Sequence, residues 1–92
     1  MAKKLKTFKQ LERHFKGVAN HRRVAILLMV LKNPGMTLES IAENLDCNVK
    51  TISEHTRRLV QAGLVNKEYK GRKVEHQVSP YGKIFCDFIT HF

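Results

Sequence analysis

Apolar side chains recur along this chain with two periods, and the switch between them divides it. Leu5, Phe8, Leu11, Phe15 and Val18 fall three and four apart, which predicts a first helix over about 5–18 with one apolar stripe. Gly17 and Asn20 punctuate it, and Asn20 is placed to cap a second helix over 21–32. Val24, Leu27, Leu28 and Leu31 of that helix are expected to point inward. Ala25, Ile26, Met29 and Val30 make it apolar nearly all round, as a central buried helix would be. The "NPG" at 33–35 ends it. Thr37 then caps a short third helix with Leu38, Ile41, Ala42 and Leu45 on its inner side and Glu39 in its first turn. "DCN" at 46–48 is a tight connection. Asn48 caps a fourth helix over 49–62, and Gly63 suits the left-handed residue that closes it.

After Gly63 the period drops to two. "LVNKEYKGRKVEHQV" reads as two short strands, with Gly71-Arg72 as a two-residue hairpin turn that places the glycine first. Val74, His76 and Val78 alternate with Lys73, Glu75 and Gln77, so His76 is expected on the inner face. Ser79-Pro80 is a cap followed by proline at the first helical position. Ile84, Phe85, Phe88, Ile89 and Phe92 stripe the last helix. At 92 residues there is room for one core. The expectation is a single domain over 1–92: a basic N-terminal segment (1–19), a helix-turn-helix (37–63), a β-hairpin wing (64–79) and a C-terminal helix (80–92). The fold class is mainly α with one hairpin, a winged helix-turn-helix.

The fourth helix is the informative one. At about 100° per residue, Ile52, Thr56 and Leu59 share a narrow inner arc with Gly63. Lys50, Glu54, Arg57 and Gln61 lie on the far side, flanked by Thr51 and Arg58. A helix of this kind enters the major groove of B-DNA with its N-terminal residues nearest the base edges. Asn48, Lys50, Thr51, Ser53 and Glu54 stand there. Arg57 and Arg58 come a turn later, where phosphates are the natural target. Lys70, Arg72 and Lys73 crowd the hairpin tip, a second place for phosphate contact. A solvated helix face and a solvated tip are the plain alternatives.

Charge favours the DNA reading. Lysine plus arginine is 17 against 8 acidic residues, a net charge of +9. Residues 1–23 carry eight basic side chains, Lys3 and Lys4 among them, and one acid, Glu12. Residues 24–46 are slightly acidic, and 47–79 are basic again. This balance points to a polyanionic partner. No apolar run approaches the roughly 18 residues of a membrane span. The basic N-terminus fits a core-packing helix better than a membrane-surface one. Cys47 and Cys86 form no disulfide framework or CxxC pair, which fits a reduced, cytoplasmic chain. Cys47 sits where a small buried side chain is usual; a redox role at the helix N-terminus is the alternative. No catalytic constellation or Gly-rich phosphate loop is present, so an enzyme is not expected.

The segment "LESIAENLDCNVKTISEHTRRLVQAGLV" resembles the helix-turn-helix core of the ArsR-type winged-helix repressors. The resemblance is carried by Ala42, by apolar Ile41, Leu45 and Ile52, by Ser53-x-His55, and by Leu59 through Val65. "VEHQVSPYG" resembles the second wing strand and Ser-Pro-x-Gly junction of ArsR- and MarR-type regulators. The similarity covers about 21–83, with Thr56 standing where the family usually has leucine. It implies a DNA-binding transcriptional regulator, a repressor, acting as a homodimer on duplex DNA. His55 would then be a packing residue at the helix border. Metal-sensing relatives use a Cys-x-Cys pair that "TLESIA" lacks, or ligands spaced differently from Asp87 and His91, so neither metal nor cofactor is expected. The dimer seam would use Leu5, Phe8, Leu11, Phe15, Phe85, Phe88, Ile89 and Phe92, because both end helices carry more apolar surface than one core needs. A protein-docking or RNA-binding winged helix is the rival reading. The sequence names no effector.

Overall fold

The computed structural model describes residues 5–92. Lys3 and Lys4 lie outside the described residues. Five helices and one hairpin follow in order: α1 Phe8–Val18, α2 His21–Lys32, α3 Leu38–Leu45, α4 Val49–Gln61, β1 Val65–Lys70, β2 Lys73–Val78 and α5 Pro80–Thr90. This is the winged helix-turn-helix expected from the sequence.

The four caps read from the sequence are all in place. The side chains of Asn20, Thr37, Asn48 and Ser79 each accept from a backbone N–H in the first turn that follows. The first helix starts later than its apolar stripe suggests. Thr7 and Gln10 form a reciprocal capping box, which fixes the start at Phe8 and leaves Leu5 ahead of the helix. Gly63 has φ 75° and closes α4 after Ala62. Asp46 takes φ 51° in the turn between α3 and α4, a conformation its short polar side chain tolerates.

The core gathers Ile26, Leu27 and Val30 of α2, Ile41 and Ala42 of α3, Ile52 and Leu59 of α4, Leu64, Val65 and Cys86. This corrects the inward face assigned to α2. Leu27 is buried as expected, but Val24, Leu28 and Leu31 are only half-buried, and Ile26 and Val30 take the deepest places. The reason is that α2 packs against α4, β2 and α5 at once, so nearly its whole circumference is in contact and no single stripe defines it.

The hairpin pairs Val65 with Val78 through Lys70 with Lys73. The two-residue turn has φ 62° at Gly71, the glycine-first arrangement. A third segment joins that the sequence did not announce. Met36 bridges His76, whose backbone N–H donates to the Met36 carbonyl at 3.0 Å. The His76 imidazole is fully buried, and Nδ1 lies 2.8 Å from the same carbonyl. His76 thus points inward, as the alternation implied, and ties the wing to the loop before α3.

Candidate nucleic-acid interface

Helix α4 is held by its inner face and left open on its outer one. Ile52, Thr56 and Leu59 are buried, while Asn48, Lys50, Ser53, Glu54, Arg57, Arg58 and Gln61 are exposed and Thr51 is half-buried. Asn48 Oδ1 is committed to the Lys50 N–H at 2.7 Å, so only its amide –NH₂ is free to donate to a ligand. Val49 is an exposed apolar side chain in the first turn, suited to contact a thymine methyl. Neither charge nor polarity marks it in the sequence.

Glu54 stands at the centre of the outer face and organises it. Arg57 donates to both of its carboxylate oxygens, through Nε at 3.2 Å and through Nη2. Arg58 Nε reaches it at 3.4 Å. These donors hold the Glu54 carboxyl below its ordinary pKa, the Arg57 hydrogen bond foremost. The carboxylate thus favours its ionised form and draws both guanidinium groups toward it, although all three side chains are about half exposed. Glu54→Gln is expected to release both arginines. Affinity for random duplex should rise several-fold and discrimination between specific and random DNA should fall, read by competition binding. Unchanged affinity for random DNA would remove Glu54 from this role.

The wing supplies a second cationic zone, though less of it is free than the sequence suggests. Glu68 and Glu75 face each other across the strands, and Lys70 Nζ lies 3.9 Å from one and 3.4 Å from the other. Arg72 at the turn and Lys73 beside it are exposed, as are Lys67 and Tyr69 along β1. The structure thus adds Lys67 and Tyr69 to the wing's outward residues. Alternation would have turned both inward with Val65, but β1 is exposed on both faces beyond Val65.

Other singled-out residues have quieter places. His55 is half-buried at the edge of α4. Desolvation first, and then the Arg23 and Arg22 charges, lower its pKa and favour the neutral imidazole. Cys47 is half-buried in the turn, its Sγ 3.3 Å from the Leu45 carbonyl oxygen. Burial raises the pKa of Cys86, a core thiol. His91 Nδ1 lies 2.6 Å from the Asp87 backbone carbonyl, not from its carboxylate. Among the described residues no three metal-ligating side chains come together, and no helix is long and apolar enough to cross a membrane.

The residues named for a dimer seam divide in two. Leu5, Phe8, Leu11, Phe15, Phe88 and Phe92 are exposed, as are Tyr81 and Ile84 beside them. Phe85 and Ile89 are half-buried, Phe85 against the protein's own core. Phe15 meets Phe85 edge-on with centroids 5.3 Å apart, so α1 and α5 share one apolar groove.

Comparison with known proteins agrees with this geometry. The profile of the bacterial regulatory proteins of the ArsR family matches residues 20–67, more than half of the chain. Among solved structures, reduced HlyU from Vibrio cholerae is 25% identical. The match covers 90% of this chain and 87% of that one, with a TM-score of 0.80. A fragment of Mb0332 from Mycobacterium bovis, solved in solution as a homodimeric winged helix-turn-helix DNA-binding domain, is 24% identical. There the shares are 98% and 88%, with a TM-score of 0.82. HlyU from Vibrio vulnificus shares the fold at 20% identity and a TM-score of 0.76, over 90% and 86% of the two chains. No curated protein sequence gives a significant match. The capped α3–turn–α4 unit, the wing packed beside it and the matching profile together make this chain a member of the ArsR family of winged-helix, DNA-binding transcriptional regulators.

Proposed function

We propose that the protein is a homodimeric repressor that reads duplex DNA in the cytoplasm, with α4 in the major groove and the wing on the flanking backbone. The observation that carries this is the outer face of α4. Lys50, Thr51, Ser53 and the Asn48 amide stand at its N-terminal end, and Arg57 and Arg58 follow a turn later. Arg72 and Lys73 extend the cationic surface at the wing. The repressor reading comes from the ArsR-type resemblance: a protein bound across a promoter acts by occupying it. The dimer reading rests on the exposed apolar groove of α1 and α5, and on the homodimeric state of the M. bovis relative. A second copy of this chain covers that face, and the residues 1–92 act as one unit.

Selection of bound sequences from a random duplex pool, followed by affinity measurement across salt, tests the DNA face. Arg57→Ala and Arg58→Ala are each expected to lower the salt slope by about one unit, and to weaken specific and random binding alike. Lys50→Ala or Thr51→Ala should instead change the selected sequence. Untouched affinity in a combined Lys50→Ala, Arg57→Ala variant would show the face to be misassigned. A preference for RNA hairpins over duplex DNA would support the rival.

A further inference from the structure

Helix α1 carries a cation where its own dipole disfavours one. Lys9 lies in its first turn, near the positive end, and Arg13 near its middle; no acidic residue occupies that turn. Lys9, Arg13 and Lys16 are spaced four and three apart, so they form one exposed stripe. The stripe borders a groove of about 610 Å³ whose opposite wall is Arg58 and Gln61 of α4.

The groove is built into the packing of the two helices. A Cβ at Gly17 would come within 2.2 Å of the Ala62 Cβ, so only glycine lets α1 lie this close to the end of α4. Arg23 enters from α2 and donates Nη1 to the carbonyls of Lys16 and Gly17, both at 3.3 Å. Its Nε is buried with no hydrogen-bond partner among the described residues. Five cations therefore border the groove, Lys9, Arg13, Lys16, Arg23 and Arg58, against one carboxylate, Glu12. Glu12 pairs with Lys16 at 3.6 Å, and both side chains are solvent-exposed, so the pair is weak. Cations near helix C-termini account for Lys16 and Arg58. They do not account for Lys9 and Arg13.

We propose that this groove is a second phosphate site, which seats the DNA backbone beyond the base pairs that α4 reads. Gln61 lies on the same line of α4 as Lys50 and Arg57, so the reading face runs into the groove without a break. The ligand chemistry is the phosphodiester anion. The inference rests on the reading that α4 faces DNA, and it makes affinity depend on duplex length as well as on sequence.

The test compares the wild type with Lys9→Gln, Arg13→Gln, Lys16→Gln combined, three exposed positions whose replacement leaves the core intact. Circular dichroism and sedimentation check fold and assembly. Affinity is measured across salt on the selected duplex, once with about one extra helical turn on each side and once trimmed to the selected base pairs. On the long duplex the variant should lose about two to three units of salt slope, and at least tenfold in affinity at moderate salt. On the trimmed duplex the two proteins should bind alike. An unchanged slope on the long duplex, or an equal loss on both lengths, overturns the site. Inorganic phosphate at matched ionic strength should not displace the long duplex. Displacement from the wild type but not from the variant would show a small-phosphate site and also overturn the proposal. Arg57→Ala run beside them separates the two ideas. If it lowers the slope while the triple variant does not, the α4 reading stands and the groove fails alone. If both are silent, both fail.

Discussion

Phe88→Asp is expected to leave a folded monomer and to cut affinity for a two-half-site operator by about 10²- to 10⁴-fold. The reason begins with burial. Phe88 is 55% exposed and Phe92 95%, and their rings meet edge-on at 5.0 Å. Leu5 at 88% and Phe8 at 90% lie on the α1 side of the same surface. A monomer gains nothing from leaving so many large apolar side chains in water, and such a patch marks an interaction site. Covering each contributes roughly 1.5–3 kcal/mol, so a few suffice to offset the cost of association. A carboxylate at position 88 would be buried unpaired in that seam. It would leave the monomer's own core alone, because α5 is anchored there by Cys86 and Phe85 instead. A two-fold dimer sets two copies of α4 about 34–36 Å apart, one turn of DNA, and so predicts an inverted-repeat operator. Separating the copies forfeits the second binding event. Sedimentation at micromolar concentration, circular dichroism and operator titration read the three consequences. A dimer that survives the substitution would place the interface elsewhere, and global unfolding would put Phe88 in the intrachain core.

What the sequence made legible follows from how local each signal is. The caps at Asn20, Thr37, Asn48 and Ser79, and the glycine-first turn, depend on a few neighbouring residues, and each stands where it was read. The inner arc of α4 was legible because polar residues bound it on both sides. Helix α2 lacks such a boundary, and there periodicity chose Val24, Leu28 and Leu31 over Ile26 and Val30. The Thr7–Gln10 box was present in the sequence but was masked by Leu5, which extends the apolar spacing beyond the helix. Neutralisation of Lys70 needs the strand register that sets Glu68 opposite Glu75. The stripe of Lys9, Arg13 and Lys16 can be spaced out in the sequence, but that it faces Arg58 across a groove follows only from the Gly17–Ala62 approach. Periodicity likewise finds the apolar stripes of α1 and α5 without saying whether the chain covers them itself.

Gly82→Ala is expected to destabilise the protein by about 1–3 kcal/mol or more, although helix propensity alone argues the opposite sign. Gly82 lies in the first turn of α5, where alanine would be favoured by up to about 1 kcal/mol if space allowed. Space does not allow it. A Cβ there would sit 2.1 Å from the Leu64 carbonyl oxygen and 2.7 Å from Val78 Cγ1. The first of these is backbone, so relief requires α5 to move away from the base of the wing. That junction is closely bonded. Ser79 Oγ donates to the Gly63 carbonyl at 2.6 Å and accepts from the Gly82 N–H at 3.0 Å, and the Ser79 N–H donates to Leu64 at 3.0 Å. The Ser-Pro-x-Gly signature and the Ala-Gly-Leu-Val signature are therefore the two sides of one contact. It joins the end of α4, the root of the wing and the start of α5. In the proposed dimer, displacing α5 should weaken operator binding as well as folding, because the two copies of α4 would lose their spacing. Gly71→Ala is the control. It has φ 62° but nothing within 4 Å, so its cost is the left-handed backbone alone, about 1–2 kcal/mol, with no effect on assembly. Denaturant unfolding of both variants gives the comparison. A Gly82→Ala protein as stable as the wild type would show that α5 docks on the wing less closely than the contact with Leu64 requires.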